Sequence, residues 1–158
     1  MTQVTHLAHP SILLVEDNSN DAMLLQEAFK AANFTNPLRI IPTGDEAAKF
    51  LSGAEEYSDR KQYPLPILIF LDLTLYRGSG LELLRWLRQQ PKINRIPVIV
   101  LTASEQPEDV KKAYSLGANS YMVKPTGQKA LVRMVEASKR YWLTLNVYPP
   151  VSPFPLRF

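Results

Sequence analysis

The sequence predicts a doubly wound α/β domain, a five-stranded parallel sheet in the order 2-1-3-4-5 flanked by five helices. Two observations predict it. Short apolar runs bounded by turn residues alternate with helical periodicity along most of the 158 residues, and the runs are apolar at successive rather than alternate positions. That pattern belongs to strands buried on both faces, as in a parallel sheet. Short connections between the elements imply right-handed crossovers. The apolar pattern leaves strand order open; 2-1-3-4-5 is the common order for single domains of this size, with a ligand crevice between strands 1 and 3.

Taken in order, Ser11 to Val15 is the first strand and runs directly into Glu16-Asp17. Ser19 to Ala32 carries Ala22, Leu25, Ala28, Phe29 and Ala32 at helical spacing, with Asp21 in the first turn, where a negative charge suits the helix dipole. Leu38 to Ile41 is the second strand. Thr43 and Glu46 have capping-box spacing and should open a short helix through Leu51, followed by a charged loop from Ser52 to Pro64. The third strand lies in Leu65 to Leu71, ends on Asp72, and leads through Gly78 to Gly80 into a helix over Leu81 to Gln90, with Leu84, Trp86 and Leu87 against the sheet. Pro91 stops that helix.

Val98 to Leu101 is the fourth strand and ends on Thr102. A helix beginning near Pro107, with Glu108 and Asp109 in its first turn, should close at Gly117 in a left-handed cap. Tyr121 to Val123 is the fifth strand, ending on Lys124-Pro125. The last helix, Gln128 to Leu143, sets Leu131, Met134, Val135, Ser138 and Trp142 along one side. The expected organisation is an N-terminal arm (1–10), a domain (11–143) and a proline-rich extension (144–158) unsuited to regular structure.

Composition narrows the function. A hydrophobic fraction of 46% with 21% charged residues is that of a soluble globular domain. The absence of cysteine removes thiol catalysis, thiolate metal sites and disulfides, and suits a reducing compartment. The first ten residues lack the basic start and apolar core of a signal peptide, and no apolar run approaches the ~20 residues of a membrane span. The chain is therefore expected in the cytoplasm, away from membranes. The net charge of +3 is mild and its cations are scattered, Lys111-Lys112 reading as a solvated helix face, so no nucleic acid is expected as partner.

A parallel sheet brings all strand C-termini to one edge. Glu16 and Asp17, Asp72, Thr102 and Lys124 should converge there. Clustered carboxylates repel one another, and one lysine cannot balance three of them, so a hard divalent cation, Mg²⁺, is the expected cofactor. A phosphoryl group approaching such a site would find donors in the Thr102 hydroxyl and the Lys124 ammonium, with Asp72 as the nucleophile. Walker-type and dinucleotide spacings are absent, Leu83 standing where the latter needs its third glycine, so the phosphate should come from a partner or a small donor.

With these residues placed, the chain resembles the receiver domains of two-component response regulators, with their flavodoxin-like fold. The resemblance rests on Glu16-Asp17 after strand 1, Phe70-Leu71-Asp72-Leu73-Thr74-Leu75 around strand 3, Leu101 to Ser104 after strand 4, and Gly117 to Pro125 around strand 5, and it covers about Ser11 to Trp142. It implies that Asp72 accepts phosphate from a sensor histidine kinase. Mg²⁺ would be held by Asp17, Asp72 and the Thr74 backbone carbonyl, with Glu16 acting through a metal-bound water. Thr102 and Tyr121 would form the switch pair that remodels the face of helix 4, strand 5 and helix 5.

Tyr76 stands where the family usually has proline and Ser79 where it usually has an acid, while Thr74 and Ser104 occupy positions that tune phosphate lifetime. The long loop before strand 3, Tyr141-Trp142 and the extension with Phe154 and Phe158 are similar to the small regulators of bacterial and cyanobacterial phytochrome kinases. That similarity implies a stand-alone signalling protein, not an enzyme, and a homodimer. Two other readings remain: a receiver-like binding module that is never phosphorylated, and an aspartyl-phosphate phosphohydrolase of haloacid-dehalogenase type. The latter needs a second acid where this chain has Thr74.

Overall fold

The computed structural model of the protein describes residues 10–75 and 79–149. Its strands are β1 (Ile12–Val15), β2 (Leu38–Ile41), β3 (Leu68–Leu71), β4 (Val98–Thr102) and β5 (Ser120–Val123). Its helices are α1 (Ser19–Ala31), α2 (Gly44–Ser52), α3 (Gly80–Arg88), α4 (Pro107–Ser115) and α5 (Gln128–Lys139). The strands form one parallel sheet in the order β2-β1-β3-β4-β5, the order expected from the sequence.

Strand alternation makes two cores. Leu13, Val15, Ile69, Leu71 and Val98 pack with Phe50, Leu84 and Leu87 of α2 and α3. Their neighbours Ile12, Leu14, Leu68, Phe70, Ile99 and Leu101 point to the other face, against Leu25, Phe29, Leu131 and Val135 of α1 and α5. This is why β1 and β3 are apolar at every position and β4 from Val98 to Leu101. Each such side chain contributes about 1.5–3 kcal/mol when fully buried. β5, at the edge, is only half-buried along its length.

The helix ends follow local chemistry. Asn18 caps α1 by accepting from the Asp21 amide at 3.0 Å. Thr43 caps α2 through the Glu46 amide at 3.2 Å, but the Glu46 carboxylate does not complete a capping box; it accepts from the Tyr57 hydroxyl at 2.5 Å instead. The reciprocal box lies at α3, where Ser79 and Glu82 cap each other, so this helix starts at Gly80 and buries Leu83 as well as Leu84 and Leu87, with Trp86 partly covered. Gly117 takes φ +102° after α4, and the amide of Ala118 reaches back to the Ala113 carbonyl at 3.0 Å while that of Gly117 reaches Tyr114. These are the two bonds of a Schellman stop.

Two segments depart from expectation. The loop from Ser52 to Pro64 holds a 3₁₀ turn at Glu55–Ser58, and the Arg60 guanidinium ties it down by donating to the carbonyls of Phe50, Leu51 and Tyr63 at 2.7, 2.8 and 3.2 Å. The last helix passes into a π-helical turn, Arg140–Leu145, beyond the expected end at Leu143. Trp142, Leu143 and Tyr148 pack onto the α1–α5 core, so the first part of the proline-rich extension lies against the domain. Tyr76, Gly78, Phe154 and Phe158 fall outside the described residues.

Candidate functional site

The sheet register builds the site. Val15 pairs with Leu71, Leu71 with Val100 and Thr102 with Val123. The ladder then continues one residue past the strand ends: the amides of Glu16, Asp72 and Lys124 donate to the carbonyls of Ile41, Val15 and Thr102 at 3.1, 3.1 and 2.8 Å. Alternation divides the groups that emerge. Glu16, Asp72 and Lys124 continue the rows of Leu14, Phe70 and Met122 on the α1–α5 face. Thr102 follows Val100 on the opposite face, where Tyr121 packs with Leu73, Val100 and Ala113.

Asp72 is 4% exposed, and both its oxygens are engaged. Oδ1 accepts from the Thr74 amide and hydroxyl, each at 3.0 Å, and Oδ2 accepts from Lys124 Nζ at 2.7 Å. The same ammonium donates to Glu16 Oε1 and, at 3.2 Å, to Asp21 Oδ2. Asp17, Asp21, Asp72, Thr74, Ala103 and Lys124 line an open cleft over this cluster. Glu16 Oε2 and Thr102 Oγ1 are buried without a hydrogen-bond partner.

The charges perturb one another strongly. Burial, then contact with the Asp72 carboxylate, pushes Glu16 up to about 7 against the opposing pull of Lys124. Burial acts on Asp72 in the same direction, but Glu16, the Lys124 ammonium and the Thr74 amide together hold it below the usual carboxylate range. Burial would lower Lys124, yet Asp72 and Glu16 outweigh it and hold the ammonium above its ordinary value. The site therefore presents a charged nucleophile-like carboxylate beside a lysine that stays protonated at neutral pH.

Among the described residues no three His, Cys, Asp or Glu side chains are grouped closely enough to hold a metal ion by themselves. The carboxylates that meet at the lysine are Glu16, Asp72 and Asp21, while Asp17 stands with Asp72 on the cleft. A hard cation that keeps several waters and takes one or two carboxylates needs no three-acid cage. The orphaned Glu16 oxygen and the oxygen-rich cleft lining fit such an ion.

Tyr121 is half-buried, and its hydroxyl donates to the Ser104 carbonyl at 2.9 Å. The Ser104 hydroxyl donates in turn to Asp109 at 2.5 Å, tying the β4–α4 loop to the first turn of α4. The sequence-predicted Glu16, Asp72 and Lys124 are thus in direct contact, Asp17 and Thr74 line their cleft, and Thr102 and Tyr121 lie on the α4 side of the sheet.

Two residues at the site have a role that sequence reading did not assign. Asp21 looked like a helix-dipole residue, and its contact with Lys124 depends on how α1 sits over the sheet edge. Gly80 looked like part of a loop, yet a β-carbon there would lie 2.3 Å from the Asp72 carbonyl oxygen and 2.9 Å from Leu73 Cα. The glycine-rich turn after Leu-Asp-Leu carried that signal.

Comparison with known proteins agrees with this fold. The family model described as the response regulator receiver domain matches residues 12–136. Response regulator Rcp1 of Synechocystis sp. is 39% identical over 138 residues, which make up 87% of this chain and 92% of that protein. Among solved structures, the phosphorylated cyanobacterial phytochrome response regulator RcpA superposes with a TM-score of 0.83 at 35% identity, covering 90% of this chain and 99% of that one. The Mn²⁺-bound form of Rcp1 superposes with a TM-score of 0.79 at 38% identity, covering 89% and 99%. No helix among the described residues is long and apolar enough to cross a membrane.

Proposed function

Because this chain belongs to the response regulator receiver domain family, we propose that it is a signalling phosphoacceptor in which Asp72 receives a phosphoryl group from a sensor histidine kinase. The observation that carries this reading is the buried Asp72 carboxylate, held ionised at the sheet edge by Lys124 at 2.7 Å. An Asp72 oxygen forms a bond to phosphorus while the bond from phosphorus to the kinase imidazole nitrogen breaks, its electron pair staying on that nitrogen. Lys124 donates to the phosphoryl oxygens. Asp17, Asp72 and the Thr74 carbonyl would hold Mg²⁺, with Glu16 reaching it through water; when bound, the ion supplies positive charge that offsets the carboxylates and the incoming phosphoryl group.

Thr102 is the group that answers the phosphoryl charge, since its buried hydroxyl has no other hydrogen-bond partner. Its movement is read out through Tyr121, the Ser104 carbonyl and α4, which changes the α4–β5–α5 face. The likeness to RcpA, a cyanobacterial phytochrome response regulator, supports a kinase partner of phytochrome type. Exposed Tyr114 on α4 and exposed Tyr141 just after α5 support contact with a second copy of the chain. The match to Rcp1, a response regulator, spans 92% of that protein and supports the receiver domain itself as the signalling unit, acting through protein contact.

The test is incubation of the purified protein with a small phosphodonor and Mg²⁺, followed by intact mass measurement. A phosphate adduct on wild type that is lost in Asp72→Asn is expected. No adduct, or an undiminished one on the variant, rejects the reading.

A further inference from the structure

Lys124 has three N–H donors, and all three are taken. They go to Asp72 Oδ2 at 2.7 Å, to Glu16 Oε1 and to Asp21 Oδ2 at 3.2 Å. A phosphoryl oxygen that is to be bound by this lysine must therefore displace one of the three carboxylates. They are unequal candidates. The Glu16 side chain is 0% exposed on a strand end and cannot withdraw without leaving a charge buried, and Asp72, 5% exposed, is the acceptor itself and stays in place. The Asp21 side chain is 44% exposed on the first turn of α1, makes the longest of the three contacts with the ammonium, and can turn to water at little cost.

We propose that Asp21 is a positioning and gating residue of the phosphoacceptor site: it occupies the third donor of Lys124 at the mouth of the cleft and must yield that donor to the incoming phosphoryl group. The inference rests on the phosphoacceptor reading of Asp72. Two consequences follow from the geometry. Before phosphate arrives, Asp21 occupies the third N–H of the ammonium at the cleft mouth while the other two are closed on Asp72 and Glu16. During transfer, the Asp21 carboxylate competes with the phosphoryl oxygens for one N–H and adds a negative charge beside the path of an anionic donor. Asp21 thereby slows spontaneous phosphorylation by small anionic donors, whose charge nothing on the donor side offsets.

The experiment compares wild type, Asp21→Asn, Asp21→Ala and Asp21→Glu as full chains with acetyl phosphate and Mg²⁺. Adduct formation is followed by intact mass at low and high ionic strength, and thermal unfolding is measured alongside. In this reaction the phosphorus bond to Asp72 forms as the bond to the acetyl oxygen breaks, and acetate leaves with the electron pair. An exposed ion pair is worth little, so Asp21→Asn and Asp21→Ala are expected to gain phosphate about two- to five-fold faster than wild type. Asp21→Glu, which keeps the charge, should match wild type, and the differences should shrink as salt screens the site.

A purely structural role in the first turn of α1 would move the melting temperature of the uncharged variants without the rescue by glutamate or the salt dependence. Equal rates for wild type and Asp21→Asn, or a slower variant, overturn the inference while leaving Asp72 as phosphoacceptor. No adduct on any of the four proteins overturns both.

Discussion

The Cα of Gly80 lies so close to the main chain of Asp72 that a β-carbon at position 80 would be 2.3 Å from the Asp72 carbonyl oxygen. The start of α3 and the acidic end of β3 are thus packed backbone against backbone, and the position of the Asp72 carboxylate depends on a residue with no side chain.

Gly80→Ala should therefore destabilise the protein, although alanine is the better helix former by roughly 1 kcal/mol. The clash is with backbone, which cannot rotate away, and overpacking of this kind costs about 1–3 kcal/mol. A net fall of a few degrees in melting temperature is expected, together with slower phosphate uptake at Asp72. A melting temperature equal to or above that of wild type would show that the two segments separate freely.

Glu16 makes stability depend on pH with a definite sign. Its carboxyl is raised to about 7 in the folded protein, so the folded state binds this proton more tightly than the unfolded chain. The stability it contributes is present below the ordinary carboxylate range and is lost as pH rises toward 7. Asp72, held low, contributes in the opposite sense, its share being lost as pH falls. In a chelating buffer, Glu16→Gln removes the first dependence, so its stability relative to wild type should improve between pH 5 and pH 8. Denaturant melts at the two pH values check this, and a constant gap contradicts it. The same variant should respond less than wild type to added Mg²⁺.

At the opposite edge of the sheet, Arg88 should be a stability residue without effect on the site chemistry. Its guanidinium donates to the Gly117 carbonyl at 3.0 and 2.8 Å, to the Asn94 and Ile96 carbonyls at 3.0 and 2.8 Å, and to the Asn119 side chain at 2.9 Å. Lysine cannot reproduce that planar fork. Arg88→Lys should cost on the order of 1–3 kcal/mol by leaving carbonyls unpaired. Amide exchange near Gly117 should speed up, because the helix stop there loses its anchor. Unchanged exchange at that stop would refute the coupling.

Tyr121→Phe tests the link between the switch pair and α4. The hydroxyl holds the Ser104 carbonyl at 2.9 Å, and no other contact between β5 and that loop replaces it among the side-chain hydrogen bonds of the described residues. A loss of about 1 kcal/mol is expected, with faster amide exchange over 104–109. Protection equal to wild type in that loop would mean that Ser104 and Asp109 hold it without Tyr121.

Much of the molecule was legible in the chain because its signals are local. Consecutive apolar residues in Ile12–Val15, Leu68–Leu71 and Val98–Leu101 announce strands covered on both faces. The polar group that ends each run marks the sheet edge, which is how Glu16, Asp17, Asp72, Thr102 and Lys124 could be named from sequence. Pro107 and Gly117 mark the ends of α4 because backbone conformation at a helix terminus is a property of a few adjacent residues.

Tertiary structure decided the contacts that depend on register and on how helices sit over the sheet. Whether Lys124 meets Asp72 and Glu16 or faces away is settled by strand parity, because a shift of one residue would send each side chain to the other face. Asp21 joins them only because α1 packs beside α5 with its first turn over the strand ends. Arg60 and Arg88 find their carbonyls across loops whose path no periodicity encodes. The sequence by itself determined which elements form and which groups stand at the sheet edge, since both follow from neighbours along the chain. Which carboxylates share one ammonium was decided by packing, since that depends on distances between residues as far apart as Glu16 and Lys124.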